Sequence, residues 1–276
     1  FEFWGDISAL KAGLVAADKI TTVSPTYAGE LLTPDFGMGF DGLLRTRSGV
    51  LSGILNGVDL AAWTPRYKTP AGKARHKARL RREMCLPESD GPLCIVVSRL
   101  THQKGLDLLI DALPRLIDRG GQLALLGRGE KGLEEAFLRA ADHPQVAVRL
   151  GYDEELARLL IEGGDAILVP SRFEPCGLTH MYGLRFGTLP LVSYTGGLVD
   201  TVIDATPAGL RAGAATGVMF HPVTSDALAR ALDRLCDLYA TPDLWLSLQK
   251  NAMSHSVGWD QSAADYLELY QSFDRR

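Results

Sequence analysis

Arg99 and Lys104 stand five residues apart in SRLTHQKGLD (98–107), directly after a short apolar run. Two cations at such a place suit a diphosphate, because a guanidinium can grip two phosphate oxygens and an ammonium adds a point charge. An isolated pair would read as ordinary surface cations; the Q-K-G context and the position past a strand favour the anion site. LLGRGEKGLEEA (125–136) spaces Gly127, Gly129 and Gly132 as G-x-G-x-x-G. In a dinucleotide fold that motif opens the first strand–helix unit. Here it falls in the second, so it reads better as a glycine loop near a ligand or a tight turn. In PSRFEPCGLTHMYGLRFG (170–187), Glu174 follows a strand, Pro175 ends the extended stretch and Gly177 opens a helix. A carboxylate there can accept from sugar hydroxyls or balance charge in a transition state; an acid favoured by the helix dipole is the plainer alternative. YTGGLVDTV (194–202) puts Thr195, Gly196 and Gly197 at a helix start, as an anion site or a glycine turn. Together the four loops describe a site for a sugar joined to a nucleoside diphosphate.

The elements between these loops set their geometry. Strands are expected at 93–98, 122–127, 146–151, 166–171 and 189–194. They alternate with helices, the first marked by Leu106, Leu109, Ile110, Leu113, Leu116 and Ile117 at helical spacing. Helices follow near 132–141, 153–162 and 177–186, and another starts at Gly196. Nearly continuous apolar strands alternating with helices indicate a parallel sheet covered on both faces, a doubly wound α/β domain with its ligand at the strand carboxyl ends. Thr224 or Ser225 caps a later helix with Leu228, Ala231, Leu232, Leu235 and Leu238 on one face. Before residue 92 the pattern changes: a helix over 8–17, a strand at ITTVS (20–24), and ILNGVD (54–59) as a strand ending in a turn. A Pro-, Lys- and Arg-rich linker follows, with one basic helix (Lys73, Arg75, Lys77, Arg79, Arg81, Arg82) read as a solvated face. Residues 258–273 form an amphipathic helix with an aromatic face to bury.

The 276 residues carry 46 % hydrophobic and 22 % charged side chains with a net charge of −4. That is an ordinary globular composition, and it argues against nucleic acid as a main partner, which would call for excess Lys and Arg. No apolar run reaches the ~18 residues of a membrane span. Cys85, Cys94, Cys176 and Cys236 match no zinc spacing and read as reduced thiols, with Cys94 in the core. The first residue is Phe1, and FEFWGDISAL lacks the features of a signal peptide, so the chain reads as a fragment or processed piece.

SRLTHQKGLDLL, LPLVSYTGGLVDTV and above all PSRFEPCGLTHMYGLRFGTLP resemble the C-terminal domain of bacterial and plant-type glycogen and starch synthases. WGDISALKAGLVAADKITTVSPTYAGEL and LSGILNGVD resemble the segment just before it, so the likeness covers nearly the whole chain. The resemblance implies the GT-B arrangement, two α/β domains facing across a cleft, and retaining transfer of glucose from ADP-glucose to α-1,4-glucan. It implies that Arg99 and Lys104 hold the diphosphate and stabilise the leaving ADP, and that Glu174 contacts the donor glucose. It sets Cys176 and Gly177 in the same motif, Tyr152 against the adenine, Thr195, Gly196 and Gly197 as backbone phosphate contacts, and Asn56 as an active-site asparagine near the hinge. ADP-glucose and an α-glucan are the implied partners, with no metal or other cofactor, no nucleic acid, no membrane and a cytoplasmic setting. His180 stands where the family usually has Gln, Tyr194 where a basic residue is common, Val199 where Ala is common. His180 is expected on the helix surface or behind the site. Tyr182 takes the place where many related transferases carry a second Glu, a Tyr that the glycogen synthases share.

These readings divide the chain into 1–62, a remnant of the N-terminal acceptor-side domain; 63–90, a linker with the basic helix; 91–254, the nucleotide-sugar-binding domain; and 255–276, a crossover helix. The family's K-x-G-G-like loop and cleft histidine do not occur in this sequence, so the chain alone is expected to be inactive. A nucleotide-binding module without catalysis, another GT-B transferase using UDP-glucose, and a dehydrogenase are the competing readings.

Overall fold

The computed structural model describes residues 1–273; positions 274–276, the end of the expected crossover segment, lie outside the described residues. The chain opens with two short antiparallel strands, β1 (Glu2–Phe3) and β2 (Asp6–Ile7), followed by α1 (Ala9–Ala16). β3 (Ile20–Thr22) pairs in parallel with β4 (Leu51–Gly53), and α2 (Pro25–Glu30) and α3 (Asp41–Thr46) lie between them in sequence. Serines start the first two helices: Ser8 Oγ accepts from Lys11 N and Ser24 Oγ from Tyr27 N. The basic helix α4 (Lys73–Glu83) then leads into the main sheet.

That sheet is built from strands separated by helices. β5 (Leu93–Leu100), α5 (Leu106–Asp118), β6 (Gln122–Gly129), α6 (Lys131–Ala140), β7 (Val146–Leu150) and α7 (Glu154–Gly163) form one half. β8 (Ala166–Val169), α8 (Thr179–Phe186), β9 (Leu189–Ser193), α9 (Gly196–Thr201), α10 (Pro207–Arg211) and β10 (Val218–Phe220) form the other. α11 (Ser225–Tyr239), α12 (Pro242–Ser254) and α13 (Trp259–Gln271) complete the chain. Strand order is β10-β9-β8-β5-β6-β7 and every pairing is parallel. The chain therefore winds outward from β5 in one direction and then from β8 in the other, which puts the topological switch point between β5 and β8. Successive side chains of a strand point to opposite faces, and β5 shows it: Cys94 and Val96 join one core with α5 and α11, while Leu93 and Ile95 join the other with α4 and α7. Cys94 is fully buried, as its apolar strand implies. Asp153 caps α7 through Leu156 N at 2.9 Å, and Thr224 caps α11 through Ala227 N at 3.3 Å.

Three expectations need correction. ILNGVD is not a strand. The ladder with β3 ends where Ile54 N donates to Thr22 O (2.9 Å), and Val58 alone bridges to Gly258. Asp59 then turns the chain by accepting from Ala61 and Ala62 N. The basic helix is not a solvated face, because half of its cations are internal tethers. Lys73 is buried, and its Nζ donates to the carbonyls of Glu162 (3.0 Å) and Phe186 (3.1 Å) and to Thr188 Oγ1 (2.7 Å). These acceptors gather at the carboxyl ends of α7 and α8, where a cation is favoured; burial still pushes Lys73 down to about 7. Arg81 is buried against Gln122 and Glu88, and Lys77 pairs with Asp165 at 2.6 Å. Arg75, Arg79 and Arg82 are the exposed remainder. Finally, the aromatic face of α13 is only partly covered by the described residues: Trp259 and Tyr270 remain 47 % and 62 % exposed.

Candidate active site

The loops leaving β5 and β8 meet at the switch point. Arg99 is the exposed seventh residue of β5, and a tight turn at His102–Lys104 follows. Gly105 ends that turn in the left-handed region (φ +64°), and a Cβ there would stand 1.9 Å from the carbonyl oxygen of Pro170. Only glycine lets the two loops approach this closely. Arg172 stitches them together. Its guanidinium donates to both oxygens of Asp107 (2.7 and 2.6 Å) and to His102 O (2.6 Å), and its backbone N–H donates to Gln103 O (2.9 Å). The bidentate bond from Arg172 lowers the Asp107 pKa.

This stitching brings Lys104 Nζ to 2.5 Å from Glu174 Oε2, which also accepts from the buried Ser171 hydroxyl at 2.9 Å. Glu174 itself is only 6 % exposed. Arg99, Lys104, Ser171, Glu174, Gly177 and Thr179 line a cavity of about 310 Å³. Gly177 has φ +73°, and a Cβ on it would press on Glu174 Cγ and His180 Nδ1, each at 3.0 Å. The amino end of α8 opens here; its cap residue Leu178 provides no side-chain acceptor. Free first-turn N–H groups facing a cavity make an anion site. A second cavity of about 250 Å³ shares Val97, Ser98 and Arg99 with the first and runs on to Gly151, Tyr152 and Asp153. Tyr152 is 86 % exposed at its mouth, so its ring is free to lie against a planar base. The paired cavities thus offer an anion centre between two cations and a helix end, a carboxylate beneath it, and an aromatic wall beside it.

Arg99, Lys104, Glu174, Gly177 and Tyr152 all line these cavities. Cys176 lies behind them, buried, with its thiol pushed up by burial against a partial lowering by the Asn56 backbone N–H. That contact sets Asn56 behind the Glu174 loop. Thr195, Gly196 and Gly197 are a correction. All three are buried, and their polar groups are already committed: Thr195 Oγ1 and Gly196 N donate to Glu30 Oε1 (2.8 and 2.9 Å), and Gly197 N donates to Glu174 O (3.0 Å). They hold the Glu174 loop rather than face a ligand. Of the two places expected for His180, the structure gives the one behind the site: it is wholly buried, bonded to Thr201 Oγ1 at 2.6 Å, and held down to about 3 by burial and then by Lys104. Tyr182 stacks on Trp63 at 3.8 Å between ring centres. The glycine motif is a packing device: a Cβ at Gly127 would meet Ser98 O at 2.0 Å, and one at Gly129 would meet Leu100 O at 2.2 Å. Ser171, Arg172, Leu178, Thr179 and Glu30 escaped the sequence argument. Ser171 and Arg172 sit in the same PSRFEP run as Glu174, and a hydroxyl and a cation there were a usable signal; Glu30 is 165 residues from Thr195, with no local signal to give.

The chain resembles known proteins along most of its length. Residues 1–46 match the family model described as the starch synthase catalytic domain, and residues 81–252 match that of the glycosyl transferases group 1. The glycogen synthase of Paracoccus denitrificans is 66 % identical over 273 residues, 99 % of this chain and 58 % of that protein. That of a Jannaschia species is 56 % identical, over 100 % of this chain and 60 % of that protein. Among solved structures, the catalytic domain of starch synthase IV from Arabidopsis thaliana, bound to ADP and acarbose, superposes with a TM-score of 0.89 at 33 % identity. The match covers 97 % of this chain and 58 % of that one. The chain thus spans about 58 % of the length of the Paracoccus protein.

Proposed function

We propose that this chain, which belongs to the group 1 glycosyltransferases, holds the ADP-glucose side of a glycogen synthase that lengthens α-1,4-glucan with retention at the sugar. The observation that carries the reading is the Lys104–Glu174 pair at 2.5 Å, set beside Arg99 and below the open end of α8 at the switch point. Breaking the bond between the glucose anomeric carbon and the phosphate oxygen leaves negative charge on the departing ADP. Fixed cations and helix N–H groups stabilise that charge without reorganising, which is the part given to Arg99, Lys104 and the Leu178–Thr179 turn. The acceptor 4-hydroxyl oxygen forms the new bond on the same face, and its proton passes to the departing diphosphate. Glu174 accepts from the donor glucose hydroxyls once the diphosphate competes for Lys104. The adenine lies against Tyr152 in the second cavity. No step calls for a resident metal or other cofactor, since the protein's own cations carry the charge.

The α-glucan is held from the other side of the cleft. We assign residues 1–62 to the acceptor-side domain, 63–90 to the linker, 91–254 to the donor-side domain and 255–276 to the crossover back, and transfer requires more of the acceptor-side domain than these residues supply. The reaction is placed in the cytoplasm, in keeping with four free cysteines. A dehydrogenase is disfavoured, because Gly127 and Gly129 are explained by strand contact. The test is a donor screen by calorimetry with ADP, UDP and NAD, run beside transfer of labelled glucose from ADP-glucose to glycogen. Selective ADP binding without transfer is expected. Preference for UDP would move the chain to another transferase activity, and transfer by the chain alone would overturn the need for a further domain.

A further inference from the structure

α2 and α9 cap each other. Ser24 begins α2 and Glu30 ends it; Thr195 begins α9 and Asp200 lies near its end. The Asp200 carboxylate accepts from Ser24 Oγ (2.6 Å), Thr26 N (3.0 Å) and Thr26 Oγ1 (2.6 Å) at the start of α2. The Glu30 carboxylate accepts from Thr195 Oγ1 (2.8 Å) and Gly196 N (2.9 Å) at the start of α9. Each acid therefore neutralises the amino end of the partner helix, where an anion is favoured. The two halves differ in what lies behind them. The Asp200 carboxylate fastens α2 and, among the described residues, makes no hydrogen bond to the Glu174 loop. Glu30 fixes the turn whose next N–H, that of Gly197, holds the carbonyl of Glu174 at 3.0 Å. Gly196 packs so closely on that carbonyl that a Cβ would stand 2.0 Å from it. Glu174 in turn carries the carboxylate that pairs with Lys104.

We infer that Glu30 is a positioning residue for Glu174: through the Gly196–Gly197 turn it sets the carboxylate of the donor cavity, so the N-terminal segment helps to build a cavity whose named lining comes from elsewhere in the chain. This rests on the ADP-glucose reading above. Ablating Glu30 frees the turn and lets Glu174 and Lys104 drift, whereas ablating Asp200 loosens the same helix pair and leaves the turn held.

The experiment compares the native chain with Glu30→Ala, Glu30→Gln, Glu30→Asp and Asp200→Ala by ADP calorimetry and by amide exchange at Gly197. Glu30→Ala weakens ADP binding about ten-fold, a loss of about 1.4 kcal/mol, and speeds Gly197 exchange. Glu30→Gln keeps an acceptor in place and stays within about two-fold of native by the same scale. Glu30→Asp keeps the charge but draws the acceptor back by one C–C bond, about 1.5 Å, and behaves like Glu30→Ala, which settles the matter should the alanine variant fail to fold. Asp200→Ala loses thermal stability with little change in ADP affinity. Equal loss of affinity in Glu30→Ala and Asp200→Ala, or an unchanged Gly197 amide in both Glu30→Ala and Glu30→Asp, overturns the proposal. A native chain that is folded but binds no ADP refutes the functional reading instead, and the Gly197 exchange then decides the role of Glu30 by itself.

Discussion

The three glycines of the G-x-G-x-x-G run separate a packing role from a ligand role. At Gly127 an added Cβ would lie 2.0 Å from Ser98 O and 3.1 Å from a Leu100 methyl, and at Gly129 it would lie 2.2 Å from Leu100 O. Carbon and carbonyl oxygen meet comfortably at about 3.3 Å, so an alanine at either place must push β6 away from β5 by about 1 Å. Two or three ladder bonds at about 1 kcal/mol each are then lost or strained, and overpacking adds about 1–3 kcal/mol. The sum is about 3–6 kcal/mol, a large part of the 5–15 kcal/mol typical of a folded domain. Gly132 is the opposite case. It is exposed in α6 with open space around its Cα, so Gly132→Ala stabilises by about 0.5–1 kcal/mol. Urea unfolding reads all three variants. With a slope of about 3 kcal/mol per molar, Gly127→Ala and Gly129→Ala lower the midpoint by about 1–2 M. Gly132→Ala raises it slightly and leaves ADP binding as it was. A Gly127→Ala chain as stable as the native one but unable to bind ADP would show that the glycine serves the ligand and refute this reasoning.

His180 is held down to about 3, so between about pH 6.5 and 3 the unfolded chain binds a proton that the folded chain refuses. Stability falls as pH falls through that window, by about 1.4 kcal/mol per unit from this group. His180→Gln removes that share of the slope; identical slopes for the two chains in denaturant titrations at pH 7, 5 and 4 would contradict it. Arg172→Lys loses the fork that spans Asp107 and cannot replace it with one ammonium. Because both partners are partly exposed, the cost in stability is held to about 1 kcal/mol, but ADP affinity falls about ten-fold as the Lys104 turn loosens; native affinity in this variant would show that Asp107 does not position the turn. Trp63→Ala removes the stack on Tyr182 and the edge contact with Phe186 at 6.3 Å, and destabilises by about 2 kcal/mol in urea unfolding. An unchanged midpoint would mean that the linker packs independently of α8.

The parallel sheet was legible because burial on both faces writes each strand as an apolar run: Leu93, Cys94, Ile95 and Val96 are all wholly buried. The sixth strand, Val218–Phe220, was not read, since three residues are too short to show a pattern. That Arg99, Lys104 and Glu174 meet at one cavity was legible because strand-end position and residue type coincide. Lys73 was misread because a helix wheel of cations looks solvated until the carbonyls of α7 and α8, far along the chain, are seen to converge on it. Thr195–Gly197 was misread for a related reason. A bare helix start attracts any anion, and the one that arrives is the chain's own Glu30.

The central claim is that ADP sits at the β5–β8 switch point on Arg99 and Lys104. Paired calorimetric titrations of the native chain and Arg99→Ala with ADP test it most directly. Selective ADP binding by the native chain, weakened about 100-fold in Arg99→Ala, or about 2.7 kcal/mol, is the predicted result. Equal affinity in the two chains, both shown to be folded, would place the nucleotide elsewhere and contradict the account.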